Sequence, residues 1–154
     1  MKGKKSKYLI LFYDGVLNNK NMFNKDKDYS YVYSRNILYL KEIIEKYEIT
    51  DLILGDYYDV YDKFFLYELL AQMIMNKIYV DIKFIHNKNH NKSQDVLNSI
   101  NKYHINDNFV ILGSFNDIYI YPFYNKYVKI DKYEGLERKY FYIIEKTLKY
   151  NYNL

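Results

Sequence analysis

The chain has no cysteine and no tryptophan, and only one proline and five glycines among its 154 residues. Without cysteine, disulfides and thiolate metal sites are excluded and the redox compartment is left unconstrained. Three scattered histidines, His86, His90 and His104, give little scope for a zinc site. Long apolar runs are also missing. Behind the basic start at residues 1–7, the apolar stretch Tyr8–Tyr13 stops at Asp14, too soon for a signal-peptide core or a membrane span. A cytoplasmic protein without a membrane partner is the expectation, in the host cytoplasm if it is viral.

What the chain has in excess is Lys, Asn, Ile and Tyr, with 22 tyrosines. These residues share A/T-rich codons, so the bias reports genome composition before function. The tyrosines still supply amphipathic contact surface. The net charge is +4, and lysines are interspersed with acids except in the first seven residues, without the basic stripe that nucleic-acid binding needs. The length fits one domain, residues 1–154, large enough to bury a core, with residues 1–7 as a flexible basic segment.

Residues 8–13 form a continuous apolar run ended by Asp-Gly, the pattern of a buried parallel strand followed by a turn. After a polar stretch over 18–30, Ile37, Leu38, Leu40, Ile43, Ile44 and Tyr47 recur at helical spacing from Ser34, which is placed to cap the helix. Leu52-Ile53-Leu54 predicts a second strand, residues 60–76 a helix apolar over much of its surface, and Ile78–Ile85 a third strand that alternates through Asp81 and Lys83. Ser93–Tyr103 predicts a helix with Val96, Leu97 and Ile100 inward. Phe109–Leu112 and Tyr127–Ile130 predict two more strands, and Leu136–Tyr150 a closing helix. Strands alternating with helices imply an α/β, three-layer Rossmann-like domain with a central parallel sheet of about five strands. In such a sheet the ligand site lies at the carboxyl ends of the strands, where Asp14, Gly55-Asp56, Lys88–Lys92 and Gly113-Ser114 fall.

One of those ends carries Leu11-Phe12-Tyr13-Asp14-Gly15-Val16-Leu17-Asn18. With the element order, it resembles the haloacid dehalogenase-like (HAD) phosphatase superfamily, above all its small members that open DxDGVLN. The resemblance spans nearly the whole chain. It implies a nucleophilic Asp where Phe12 stands and a second, acid/base Asp at Asp14. It implies a phosphate-binding hydroxyl at the end of the second strand, where this chain has Gly55 or Asp56. The family Lys before a helix matches Lys92. The paired acids that hold magnesium after the fourth strand are replaced by Gly113 and Ser114. The strand and Gly-Leu that precede the family's last helix are echoed by Tyr127–Ile130 and Gly135-Leu136.

HAD enzymes attack phosphorus with a carboxylate, forming an aspartyl-phosphate while a second acid handles the leaving-group proton and magnesium gathers the charge. Loss of a nucleophile costs on the order of 10^4 to 10^6 in rate by analogy with other covalent catalysts. The leading expectation is therefore a catalytically inactive HAD-like domain, without cofactor, that binds a protein partner or assembles with itself. Tyr140, Tyr142, Tyr150 and Tyr152 would supply contact area. The vacated pocket is expected to be plugged by Phe12 and Tyr13. The alternative is a magnesium-dependent phosphatase with a rearranged site, Asp14 with Asp56 or Asp59 around the ion and Lys92 at the phosphate, acting on nucleic-acid ends. A third expectation is a phosphate or nucleic-acid binding module without hydrolysis. Each of these residues also has a plain role: Asp14 and Gly15 in a turn, Lys92 as a solvated helix start, Asp56 and Asp59 as loop acids, and His86–Lys92 as a surface loop.

Overall fold

The computed structural model describes residues 5–19, 32–55, 61–85 and 91–150, with residues 61–65 described by backbone alone. Five strands, β1 (Tyr8–Phe12), β2 (Asp51–Gly55), β3 (Asp81–Phe84), β4 (Phe109–Gly113) and β5 (Tyr127–Lys129), pair in parallel in the order β3-β2-β1-β4-β5. This is the doubly wound, Rossmann-like order, in which the chain reverses direction across the sheet at β1 and β4. Helices α1 (Ser34–Lys46), α2 (Tyr61–Met75) and α3 (Lys92–Tyr103) carry the first three crossovers, and α4 (Phe141–Lys149) follows β5. No helix among the described residues is long and apolar enough to cross a membrane.

Period-two alternation sorts the strands into two cores. Leu9, Leu11, Leu52, Leu54, Val110 and Leu112 pack with Ile37, Leu40 and Ile43 of α1, Leu69 and Met73 of α2, and Phe141 and Ile144 of α4. Ile10, Phe12, Ile53, Phe109 and Ile111 face the other way, onto Val96 of α3 and onto Ile120 and Phe123. The last two belong to a β4–β5 crossover made without an α-helix. Two 3-10 turns, Asp117–Ile120 and Tyr124–Lys126, take its place. On β2 and β3 the polar alternation also has a partner: Lys83 Nζ lies 2.5 Å from Asp51 Oδ1 and 2.8 Å from Asp81 Oδ2. Burial works to lower the Lys83 pKa, but these bonds outweigh it and hold the ammonium above its ordinary range.

Several local expectations are corrected. Ser34 is not a cap: the cap position is Tyr33, with no side-chain capping bond, and Ser34 is already inside the helix. Leu38 is half exposed, on the outer side of the stripe formed by Ile37, Leu40, Ile43 and Ile44. In α3 the inward stripe runs through Asp95, Val96 and Ser99, which leaves Leu97 exposed; the Ser99 hydroxyl donates to the Asp95 carbonyl at 2.9 Å. The helix starts at Lys92, capped by the Asn91 side chain, which accepts from the Gln94 amide at 3.0 Å. β3 is shorter than predicted because Ile78 still closes the preceding helix, its amide donating to the Met73 carbonyl. Leu136 does not open the last helix. Its amide donates to the Val16 carbonyl at 2.8 Å, so it pins the C-terminal loop to the turn after β1, and α4 begins only at Phe141.

Candidate functional site

The carboxyl ends of β1, β2 and β4 and the first residue of α3 gather Phe12, Gly55, Gly113, Ser114 and Lys92 at the switch point of the sheet. Phe12 and Gly55 are register partners on adjacent strands, so the Phe12 side chain rises beside a residue that has none. The fit is close: a β-carbon on Gly55 would lie 2.5 Å from Phe12 Cδ1. Phe12 is fully buried. Its ring meets that of Phe115 edge to face, with centroids 5.2 Å apart and planes at 90°. Phe115 in turn stacks on Tyr127 at 4.8 Å, and the Tyr127 hydroxyl donates to the Phe115 carbonyl at 2.6 Å. Gly113 makes room for Phe115 as Gly55 does for Phe12, because a β-carbon there would lie 2.4 Å from Phe115 Cε1. Two of the positions where the resemblance implies phosphate or magnesium ligands are thus glycines filled by rings.

Lys92 closes this cluster from the α3 side. Its Nζ stands 4.8 Å from the Phe12 ring centroid and 4.6 Å from that of Phe115, within cation–π range of both. The plug is therefore made by Phe12 and Phe115. Tyr13, expected beside Phe12, is buried in the opposite core with Val16 and Leu17, as alternation along the strand requires. Phe115 escaped the sequence reading, although Ile111, Gly113 and Phe115 share the two-residue period that would have put it on the Phe12 face.

Asp14 is exposed at the tip of a turn in which the Val16 and Leu17 amides both donate to the Tyr13 carbonyl. The Gly15 amide is satisfied by Asn18 Oδ1 at 2.7 Å, so Asn18 and not Asp14 supplies the side-chain acceptor of this turn. The Ser114 hydroxyl donates to the Asp14 carbonyl at 2.7 Å and ties the β4 end to the β1 end. Gly15 has φ +78°, and a β-carbon there would meet Ser114 Oγ at 2.3 Å, so both backbone and space require glycine. Asp56, Asp59, His86, His90 and Tyr152 lie outside the described residues. His104 is the left-handed C-cap of α3. Among the described residues no group of three or more His, Asp or Glu is placed to hold a metal ion.

Two grooves border the plug and share Phe115 and Tyr119 in their linings. One, of about 670 Å³, is lined by Asn91, Lys92, Ser93, Phe115, Ile118, Tyr119 and Tyr121. The other, of about 650 Å³, runs from Ser114 and Asn116 past Tyr119 to Lys129, Lys132, Tyr133 and Tyr140. A smaller cavity of about 410 Å³ lies at the opposite edge of the sheet, among Lys7, Tyr47, Asp107 and Lys149, away from the strand ends that the site occupies. Of the C-terminal tyrosines, Tyr142 and Tyr150 are exposed, whereas the Tyr140 hydroxyl accepts the Asp131 amide at 2.9 Å.

Comparisons of the chain with family models, with curated proteins and with solved structures found no match.

Proposed function

We propose that this chain is a HAD-like domain without phosphatase activity whose work is binding, to a protein partner or to a second copy of itself. One observation carries the proposal: where the resemblance implies a nucleophilic carboxylate, there is a fully buried phenylalanine ring held between Gly55, Phe115 and Lys92. A phenyl ring has no lone pair to attack phosphorus. A phosphoryl group could reach that point only by displacing the ring, which would cost about 1.5–3 kcal/mol in lost burial and about 0.5–2 kcal/mol in lost cation–π contact.

The state of the rest of the molecule supports the binding half. Every residue of β2 and β4 is buried, so the framework is well packed although its catalytic positions are replaced. Large apolar side chains nevertheless stand in solvent. Tyr67, Ile74 and Met75 on α2, and Tyr79 just after it, are more than two-thirds exposed. A helix that is apolar on its outer side as well as its inner side has the composition of an interior or interface helix.

Phosphate release with magnesium from an aryl phosphate and from 5′- and 3′-phosphorylated oligonucleotides is the direct test, run on the wild type and on Asp14→Asn. No release from either is expected. Turnover in the wild type that Asp14→Asn abolishes would instead mean a rearranged enzyme. For binding, light scattering across a concentration series and pull-downs from the native host are the measures, and a strict monomer that captures nothing would end the proposal. Where self-association is observed, Ile74→Glu is expected to weaken it without moving the unfolding midpoint.

A further inference from the structure

The 3-10 turn Asp117–Ile120 and the residue that follows it present Ile118, Tyr119 and Tyr121 to solvent, at 74%, 62% and 67% exposure. Exposure of this kind on a loose loop would mean little, but this segment is tied down. The Ser93 hydroxyl donates to the Tyr119 carbonyl at 2.8 Å, Asn116 Oδ1 accepts the Ile118 amide at 3.1 Å, and the Tyr119 amide donates to the Asn116 carbonyl at 3.0 Å. Ile120 and Phe123 anchor the same segment in the core. Large side chains held out on an ordered backbone lose little entropy when a partner covers them, which is the property of interface anchors.

Phe115 and Tyr119 line both grooves, and of the two it is Tyr119 that stands out in solvent. Lys92, the charged residue of one groove, stands over the Phe12 and Phe115 rings, whereas in the other groove Lys129 and Lys132 outnumber Asp131 and make the lining net cationic. Asp131, the one carboxylate of the lining, is held in place by the Tyr133 amide, which donates to its Oδ1 at 2.9 Å. The group complementary to Lys129 and Lys132 is a carboxylate. Exposed acids just outside, Asp14, Asp117 and Glu134, interrupt the cationic track that a chain of phosphates would need, whereas a protein segment can set its carboxylates at chosen points.

Resting on the proposed role as a binding domain, we infer that Tyr119 is the central ridge of a docking surface for an extended protein segment. The segment places one apolar side chain in each flanking groove and a carboxylate against Lys129 and Lys132.

The test is selection of phage-displayed twelve-residue peptides on the full chain, followed by titration of a selected peptide. Selected sequences are expected to combine Asp or Glu with Leu, Ile or Phe. Tyr119→Ala is expected to weaken the peptide about tenfold or more. The double variant Lys129→Glu/Lys132→Glu should do the same and recover affinity for a peptide whose acids are changed to Lys. Ile118→Ser is a second probe of the same surface should Tyr119→Ala prove unstable. Peptides without acids, or peptides indifferent to Tyr119→Ala and Ile118→Ser, would overturn this surface while leaving the binding-domain proposal standing. Failure to select any peptide, together with tight binding of oligothymidylate, would overturn the surface and count against the protein-binding role as well.

Discussion

Gly55 and Phe12 are complementary in shape: paired in register across β1 and β2, they leave only 2.5 Å between Phe12 Cδ1 and the point where a Gly55 β-carbon would stand. The ring at residue 12 and the missing side chain at residue 55 therefore depend on one another. Gly55→Ala is expected to destabilise the chain by about 1–3 kcal/mol through overpacking. Phe12→Leu alone should also destabilise, by loss of ring contacts, but the double variant should cost less than the two added together, because a smaller side chain makes room for the new methyl. Urea unfolding of the four proteins measures the coupling. Strict additivity would mean that the two residues do not share the space.

Lys92 stands at the first turn of α3, over the two rings that fill the strand ends. With two ring faces within 5 Å of its Nζ, its positive charge is already committed to Phe12 and Phe115. Lys92→Met keeps most of the side-chain volume and removes the charge, so it should lower stability by about 0.5–2 kcal/mol. Lys92→Arg should retain most of the wild-type value, since a guanidinium stacks on rings as well. Equal stability of Lys92→Met and the wild type in urea titrations would show that the cation contributes nothing there.

The strands and their parallel arrangement were legible because Leu9–Phe12, Leu52–Leu54 and Phe109–Leu112 are unbroken apolar runs, which only a sheet covered on both faces accommodates. The location of the site at the carboxyl ends of those strands followed from the same logic. What fills the site was half legible: Phe12 was expected there, but its companion is Phe115 and not Tyr13. Phe115 keeps the two-residue period of Ile111 and Gly113 yet lies beyond the apolar run that marks β4, and only the pairing of β1 with β4 brings it to Phe12. The crossover after β4 was missed for a related reason. Residues 114–126 carry tyrosines and asparagines without a 3.6 or 2.0 period, and their two 3-10 turns are set by the burial of Ile120 and Phe123 rather than by an amphipathic stripe. Leu136 looked like a helix start because it is apolar and follows a glycine, while its backbone was required elsewhere, at Val16.

The loops that frame the strand ends are tied, besides their backbone bonds, by a buried side-chain amide. Asn36 on α1 is fully buried, and its Nδ2 donates to the Leu136 carbonyl at 2.8 Å and to the Glu134 carbonyl at 3.4 Å, while its Oδ1 accepts from Asn19 at 3.4 Å. Three chain segments thus meet at one side chain. Asn36→Ala leaves the buried Leu136 carbonyl without its donor and is expected to cost about 1–3 kcal/mol. Leu38→Ala, two residues along the same helix but half exposed, should stay within about 0.5 kcal/mol of the wild type. Chemical unfolding of both variants compares the two faces of α1, and an Asn36→Ala protein as stable as Leu38→Ala would remove the claim that this amide organises the loops.

Lys126 makes stability depend on pH in an unusual direction. It is fully buried, and its ammonium donates to the Asp107 carbonyl at 2.6 Å and the Thr147 carbonyl at 3.0 Å, joining the entrance of β4 to the last turn of α4. Burial lowers its pKa from 10.5 to about 8, with the Asp107 charge opposing the shift only in part. Between about pH 8 and 10.5 the unfolded chain holds a proton that the folded chain has released, so unfolding takes up a proton and stability rises with pH across that window. Below pH 8 both states are protonated and the burial of the charge acts against the fold in full. The quantity to follow is the difference between the wild type and Lys126→Met, in which every other group cancels. From pH 7 to pH 10 the wild type should gain on the order of 2 kcal/mol relative to the variant. A difference that stays flat would mean that Lys126 keeps its ordinary pKa in the fold, and a difference that falls with pH would mean that the two carbonyls stabilise its charged form more than burial opposes it.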